Sequence, residues 1–327
     1  MSAHEKRRLV SVVLSFRNEE EVIPEFLQRA QSALQPLPLD HEFIFVNDAS
    51  TDGSRALLTE RSRRDPRIKA LHMSRRFGAM ECIVAGLKHA SGDAVIYMDC
   101  DLQDPPELLA RLIEEWSAGA DVVHTVRTKR EGEPRLKMLL TSLAYRLINL
   151  FSDTKFLHNA GDFKLLSRRA LKELLALEER TPYLRGLVAW IGFRQVAVPY
   201  ERYARGGGSS KFPLFSHFFS DMMTLQGPVG HLIVAMTSFS ILPIVILLVM
   251  GAVLFACGLL AVAAGLCTAA GPRTFTLGVL AALSGTQLLG IGTLGIYLGR
   301  IYQDVRRRPQ YIVESTTGFS PPGPAAT

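Results

Sequence analysis

The chain has 327 residues, 48% of them apolar, with 37 Lys plus Arg against 31 Asp plus Glu and a net charge of +6. That length allows one large domain or two modest ones. The basic excess suits nucleic acid or an anionic membrane surface, at about 1 kcal/mol per nearby Lys or Arg, but zinc-finger spacing and aromatic-rich basic strands are missing, so no nucleic-acid partner is expected.

Cys82, Cys100, Cys257 and Cys267 include no C-x-x-C pair, which argues against a disulfide framework and fits a reducing cytoplasm. Charge is unevenly spread: between Leu232 and Gly299 the only charged side chain is Arg273. The chain therefore divides into a charged part and an apolar part.

Lys6-Arg7-Arg8 before the apolar run Leu9–Phe16 mimics a signal peptide. The run is short, Arg17-Asn18-Glu19-Glu20-Glu21 follows at once, and no small-residue cleavage site appears. It reads instead as a first buried strand. A helix is expected over 21–35, with Pro24 in its first turn where proline is tolerated. A second strand, 42–47, ends in the cap-rich turn Asp48-Ala49-Ser50-Thr51-Asp52-Gly53-Ser54, which feeds a helix to about Arg64. A third strand is expected over 68–73. Ser74-Arg75-Arg76-Phe77-Gly78 then opens a helix reaching Ala90.

The apolar run Ala94–Met98 reads as a buried strand leading into Asp99-Cys100-Asp101-Leu102-Gln103-Asp104-Pro105-Pro106-Glu107. Strand alternation points Asp99 and Asp101 to one face. Two carboxylates there repel each other unless a cation lies between them, and hard oxygen ligands suit Mg²⁺ or Mn²⁺. Taken alone, the two acids also read as turn and cap residues. Asp104, Pro105 and Glu107 are expected to start the next helix as cap, first position and capping-box acid. Short apolar strands alternating with amphipathic helices imply a parallel α/β sheet. Loops carrying Asp48, Arg75 and Asp99 would then converge at its carboxyl edge, where such sheets bind ligands.

A further strand is expected over 121–126, followed by the charged loop 127–133 and a helix over 135–151. Asp162, between Gly161 and Phe163 at the head of another strand, reads as a turn aspartate or a buried catalytic carboxylate. Residues 183–190 are expected helical and 193–198 extended. The loop Arg202–Phe212, with three consecutive glycines, reads as an interdomain linker or as a phosphate clamp using Arg205 and Lys211.

An interfacial helix is expected over 213–230. Two apolar stretches, about 239–266 and 275–299, are each long enough for a bilayer of ~30 Å. Positive flanks at Arg205, Lys211, Arg300 and Arg306-Arg307-Arg308 place the catalytic domain and the tail in the cytoplasm. Gly290-Ile291-Gly292-Thr293-Leu294-Gly295 matches G-x-G-x-x-G literally, but no soluble strand precedes it, so a dinucleotide site is rejected. Residues beyond Ser315 read as a disordered tail rich in Pro, Gly and Thr.

The ordered set 11–20 (SVVLSFRNEE), 46–54 (VNDASTDGS), 74–78, 98–107, 161–165 and 205–212 resembles family 2 inverting glycosyltransferases. More narrowly it is similar to the polyprenyl-phosphate glycosyltransferases with two C-terminal transmembrane helices. The resemblance implies an α/β glycosyltransferase-A (Rossmann-like) catalytic domain over 1–212. It implies an interfacial helix over 213–230, two transmembrane helices within 231–301 and a cytoplasmic tail over 302–327. The expected location is a bacterial inner membrane, multi-pass, with both termini cytoplasmic, as a homo-oligomer such as a tetramer.

On the same resemblance, Ser15, Arg17, Glu19, Asp48, Arg75 and Asp99 contact a nucleotide-diphosphate sugar. Asp99, Asp101 and Gln103 hold Mg²⁺ or Mn²⁺. Asp162 and Asp101 are catalytic, with Asp162 a base or a positioning group. Arg130, Arg205, Ser210 and Lys211 grip the phosphate of a polyprenyl phosphate. Arg17 stands where the family more often has tyrosine, and Arg76 where it more often has asparagine. The implied reaction moves one sugar, from UDP-glucose or a related UDP-sugar, to undecaprenyl phosphate. The alternatives are a dolichyl-phosphate mannose synthase-like transferase using GDP-mannose, a processive polysaccharide synthase, and a non-catalytic membrane scaffold. A processive synthase would carry Q-x-x-R-W and more spans, and neither is found.

Overall fold

A computed structural model describes residues 7–129, 157, 160–177, 179, 183–201, 244, 246–247, 249–254, 256–257 and 272–319. The chain forms two compact units, one of Met1–Leu143, Lys155–Lys211 and Pro309–Thr327, the other of Ala144–Thr154 and Phe212–Arg308.

The first unit is built on β1 (Leu9–Phe16), α1 (Ile23–Leu34), β2 (Asp40–Asn47), α2 (Ser54–Arg64), β3 (Ile68–Met73), α3 (Ala79–His89), β4 (Ala94–Asp99), α4 (Leu108–Ser117), β5 (Val122–Lys129), β6 (Ala160–Ser167), α5 (Arg168–Ala176), α6 (Leu184–Trp190), β7 (Gln195–Glu201) and β8 (Val313–Thr317). The expected strands and helices up to α3 are all present. One eight-stranded sheet runs in the order β7-β5-β6-β4-β1-β2-β3-β8.

β1 lies between β4 and β2, parallel to both. Val10 to Phe16 are all buried, the continuous apolar run expected of a strand covered on both faces. Val10, Val12 and Leu14 join Phe26, Leu27 and Ala30 of α1 and Leu109 and Leu112 of α4 in one core. Val13 faces the other way, onto α3, where a Cβ on Gly86 would overlap Val13 Cγ1. The helix approaches the sheet so closely there because the position has no side chain.

The sheet is not wholly parallel, which corrects the expectation. β6 runs antiparallel between β4 and β5. An antiparallel insertion turns the strand around, so the start of β6 lies beside the end of β4. Asp162 and Asp99 are thereby brought to the same edge.

The second correction concerns the tail. Thr316 and Thr317, expected to open the disordered tail, instead end β8, which is antiparallel to β3. Its Val and Thr are β-branched and suit an extended backbone. It covers what would otherwise be the open edge of β3.

In the second unit, helix α7 (Pro272–Val305) contains the expected span 275–299. Among the described residues no helix is long and apolar enough to cross a membrane. The polar and small run Ser284-Gly285-Thr286-Gln287 lies in the middle of α7. The expectation of a multi-pass inner-membrane protein with cytoplasmic termini is corrected accordingly. The expected helix 135–151 and interfacial helix 213–230 lie outside the described residues, as does most of the expected span 239–266.

Candidate active site

The site is built at the carboxyl ends of β1, β2 and β4 and the amino end of β6. β1 and β4 pair Ser15 with Asp99, and Ser15 Oγ donates to Asp99 Oδ1 at 3.0 Å. β4 and β6 pair Tyr97 with Lys164. Two residues further along that antiparallel register, Asp99 and Asp162 are neighbours. The half-buried Asp99 carboxyl is pushed up to about 7, first by burial and then by the charges of Asp101 and Asp162. Like charges this close disfavour ionisation.

Asp101 comes near Asp99 by a route other than the expected pleat. β4 ends at Asp99, and the chain turns through Leu102, whose φ is +58°. Asp101 Oδ1 accepts from the Gln103 amide at 3.2 Å, and Cys100 is buried away from solvent.

Among the described residues no group of three His, Cys, Asp or Glu surrounds one ion position. Two carboxylates with one amide oxygen are nevertheless a donor set that fits Mg²⁺ or Mn²⁺, since such ions take one or two protein carboxylates and fill the remaining positions with phosphate and water. The crowding that raises Asp99 is the charge a cation would neutralise.

The capping scheme expected for Asp104 and Glu107 is not what forms. α4 starts without a side-chain cap at Glu107. Glu107 pairs instead with Arg29, whose Nε lies 2.8 Å away. Asp104 is buried and accepts the Tyr200 hydroxyl. Tyr200 in turn accepts from Arg127 Nε at 3.1 Å, and Arg127 Nη2 lies 3.8 Å from Asp104. Arg127, expected to open the charged loop 127–133, is instead a paired residue of β5, only 15% exposed at its side chain. Gly161 allows this, because a Cβ there would stand 3.0 Å from Arg127 Nη2.

Asp48 is buried and ties two loops together. Its Oδ1 accepts from the Phe77 amide at 2.7 Å and its Oδ2 from the Gly78 amide at 3.2 Å. Arg75, in the same loop, is exposed and stacks on the Phe77 ring, 4.0 Å from its centroid. Arg17 and Glu19 are half-buried in the loop after β1. Ser15, Asp48, Arg75, Asp99, Asp101, Gln103 and Asp162 therefore all lie on strand ends or loops of the first unit. Arg130, Arg205, Ser210 and Lys211 lie outside the described residues.

Asp162 has partners that sequence reasoning missed. Arg185 of α6 forms a two-pronged ion pair with it, Nε to Oδ1 at 2.7 Å and Nη2 to Oδ2. Lys164, two residues along β6 and fully buried, adds a second positive charge. Burial alone would raise the Asp162 carboxyl. Arg185, Lys164 and Arg127 outweigh that and hold it well below the usual carboxylate range. Lys164 was findable, since residues i and i+2 share a strand face. Arg185 was not, because nothing within the apolar helix Leu184–Trp190 distinguishes it from a surface arginine.

The family model described as Glycosyl transferase family 2 matches residues 11–175, which span β1 to α5. YkcC of Bacillus subtilis, an uncharacterized glycosyltransferase, is 37% identical over 316 residues, 94% of each chain. The SfII prophage-derived bactoprenol glucosyl transferase of Shigella flexneri is 36% identical, covering 95% of this chain and 99% of that protein. A prophage bactoprenol glucosyl transferase homolog of Escherichia coli is 34% identical over 93% and 98%.

Proposed function

The chain belongs to glycosyl transferase family 2 and is a glycosyltransferase of the Rossmann-like glycosyltransferase-A fold, and we propose that it transfers one glucosyl group from UDP-glucose to undecaprenyl phosphate with inversion. The observation that carries a phosphate-handling site is the convergence of Asp99, Asp101 and Asp162 at one sheet edge. The choice of acceptor and sugar is supported by the extended likeness to bactoprenol glucosyl transferases.

Asp99, Asp101 and Gln103 would hold Mg²⁺ or Mn²⁺, which supplies positive charge beside the departing diphosphate. Asp48 fixes the loop that carries Arg75, and Ser15 orients Asp99, so both shape the donor site. The acceptor is a phosphate monoester with a second pKa near ~6, largely ionised at pH 7. One of its oxygens attacks the anomeric carbon, a carbon–oxygen bond forms, and the bond to the nucleoside diphosphate breaks. No proton has to be removed.

Asp162 is therefore not required as a base. It serves as a fixed negative charge facing the positive charge that develops on the sugar. The acceptor side is assigned to Arg130, Arg205, Ser210 and Lys211 together with residues near Asp162. A donor screen tests the reading. Purified protein is offered UDP-glucose, UDP-N-acetylglucosamine or GDP-mannose with a short-chain polyprenyl phosphate, and products are read by mass. A glucosyl product is expected. A product only from GDP-mannose would overturn the donor assignment.

A further inference from the structure

We propose that Arg185, paired with Asp162, is an acceptor-phosphate ligand that exchanges the carboxylate for the phosphate when the acceptor binds. The inference rests on the proposed transfer to polyprenyl phosphate and assigns a residue to it.

Four observations lead there. First, the pair is two-pronged, Nε and Nη2 of Arg185 onto both oxygens of Asp162. The planar guanidinium fork fits a phosphate as well as a carboxylate. Second, Arg185 is 35% exposed at its side chain and Asp162 19%. The arginine is the more exposed half of the pair.

Third, the carboxylate does not depend on Arg185 alone. Lys164 on the same strand face and Arg127 beside Gly161 also act on Asp162. Positive charge therefore remains near Asp162 when Arg185 moves to a phosphate. Fourth, while the pair is closed both Asp162 oxygens are covered. A carboxylate meant to face a positively charged sugar has to be uncovered, and the arrival of a phosphate does that. The exchange couples acceptor binding to exposure of Asp162. In its absence, the donor faces a neutralised carboxylate, and transfer to water is suppressed.

The test uses the full-length protein and a short-chain polyprenyl monophosphate, with binding measured by calorimetry separately from transfer. Arg185→Gln is expected to weaken acceptor binding by about 10–100-fold, the value of charged hydrogen bonds, while KM for UDP-glucose changes by less than about twofold. Arg185→Lys should recover part of the loss.

Asp162→Asn gives the sharper readout. It removes the competitor for Arg185, so acceptor binding should tighten although transfer falls. A residue that only props up the fold would loosen binding in both variants. Thermal melts confirm that each variant is folded. Equal acceptor binding by wild type and Arg185→Gln overturns the exchange and leaves the transferase reading standing. A rise in donor KM instead of acceptor affinity assigns Arg185 to the diphosphate and also overturns it. Failure of the wild-type protein to bind any polyprenyl phosphate would sink the acceptor reading as well.

Discussion

Asp99 and Asp162 stand side by side on antiparallel strands, although 63 residues separate them in sequence (162 − 99). One has its carboxyl pushed up to about 7 by burial and its acidic neighbours. The other is held well below the usual range, its burial outweighed by Arg185, Lys164 and Arg127. Environment has separated two identical groups, as the proposed roles of cation ligand and permanent charge require.

The ligand role predicts a strict dependence on divalent metal. Asp101→Asn should lower the transfer rate by about 10²-fold or more, the scale of losing one preorganised electrostatic contact to the reacting charge. Chelation of wild-type protein should abolish activity, and Mn²⁺ or Mg²⁺ should restore it. Undiminished turnover in a chelator would refute the assignment.

The Tyr200 hydroxyl bridges Asp104 and Arg127 at the base of the site. Tyr200→Phe leaves the buried Asp104 without that donor. A loss of about 1–3 kcal/mol of stability is expected, measured by urea unfolding. Wild-type stability would show that the bridge contributes nothing.

The segment leading into β8 touches the loop that carries Arg75. The Ser74 amide, next to Arg75, donates to the Ile312 carbonyl at 3.0 Å. Asn47 Nδ2 lies 3.3 Å from His72 Nδ1, and His72 Nε2 lies 3.4 Å from Thr317 Oγ1. A chain ending at Arg308 should show a raised KM for UDP-glucose and a lower Tm, about 2–4 °C for each kcal/mol lost. An unchanged donor KM would confine β8 to covering the edge.

At the opposite end of β2, Glu42 links stability to pH. Burial pushes its carboxyl up, but Lys69 at 2.7 Å, Ser11 and Ser91 outweigh this and hold it below its ordinary value. A depressed carboxyl stabilises the fold above its unfolded pKa, near ~4.3. That contribution is lost as pH falls through the folded value. Glu42→Gln should therefore lower stability at pH 7 and flatten its decline below about pH 5. Parallel pH profiles for the two proteins would contradict the link.

Much of this was legible in the sequence, because strand and helix periods and apolar runs are local signals. The strands from β1 to β4 follow from them directly, whereas the nearness of Asp101 to Asp99 comes from the turn through Leu102 and not from the strand period. Strand direction is not local, so the reversed β6 was missed, and with it the nearness of Asp99 to Asp162. Asp104 and Glu107 carry good capping chemistry, yet distant partners, Tyr200 and Arg29, claimed their side chains. Arg185 and β8 depend on contacts across the sheet that no spacing rule contains. Thr316 and Thr317 at the end of β8 are small and polar enough to resemble the tail that follows them.

The central claim is transfer of one hexose to a lipid phosphate, and product mass tests it most directly. Purified protein, UDP-glucose, Mn²⁺ and a short-chain polyprenyl monophosphate should give a lipid heavier by a single hexosyl group, and the corresponding polyprenol should give none. No glycosylated lipid from the monophosphate, or equal product from the alcohol, would contradict the account.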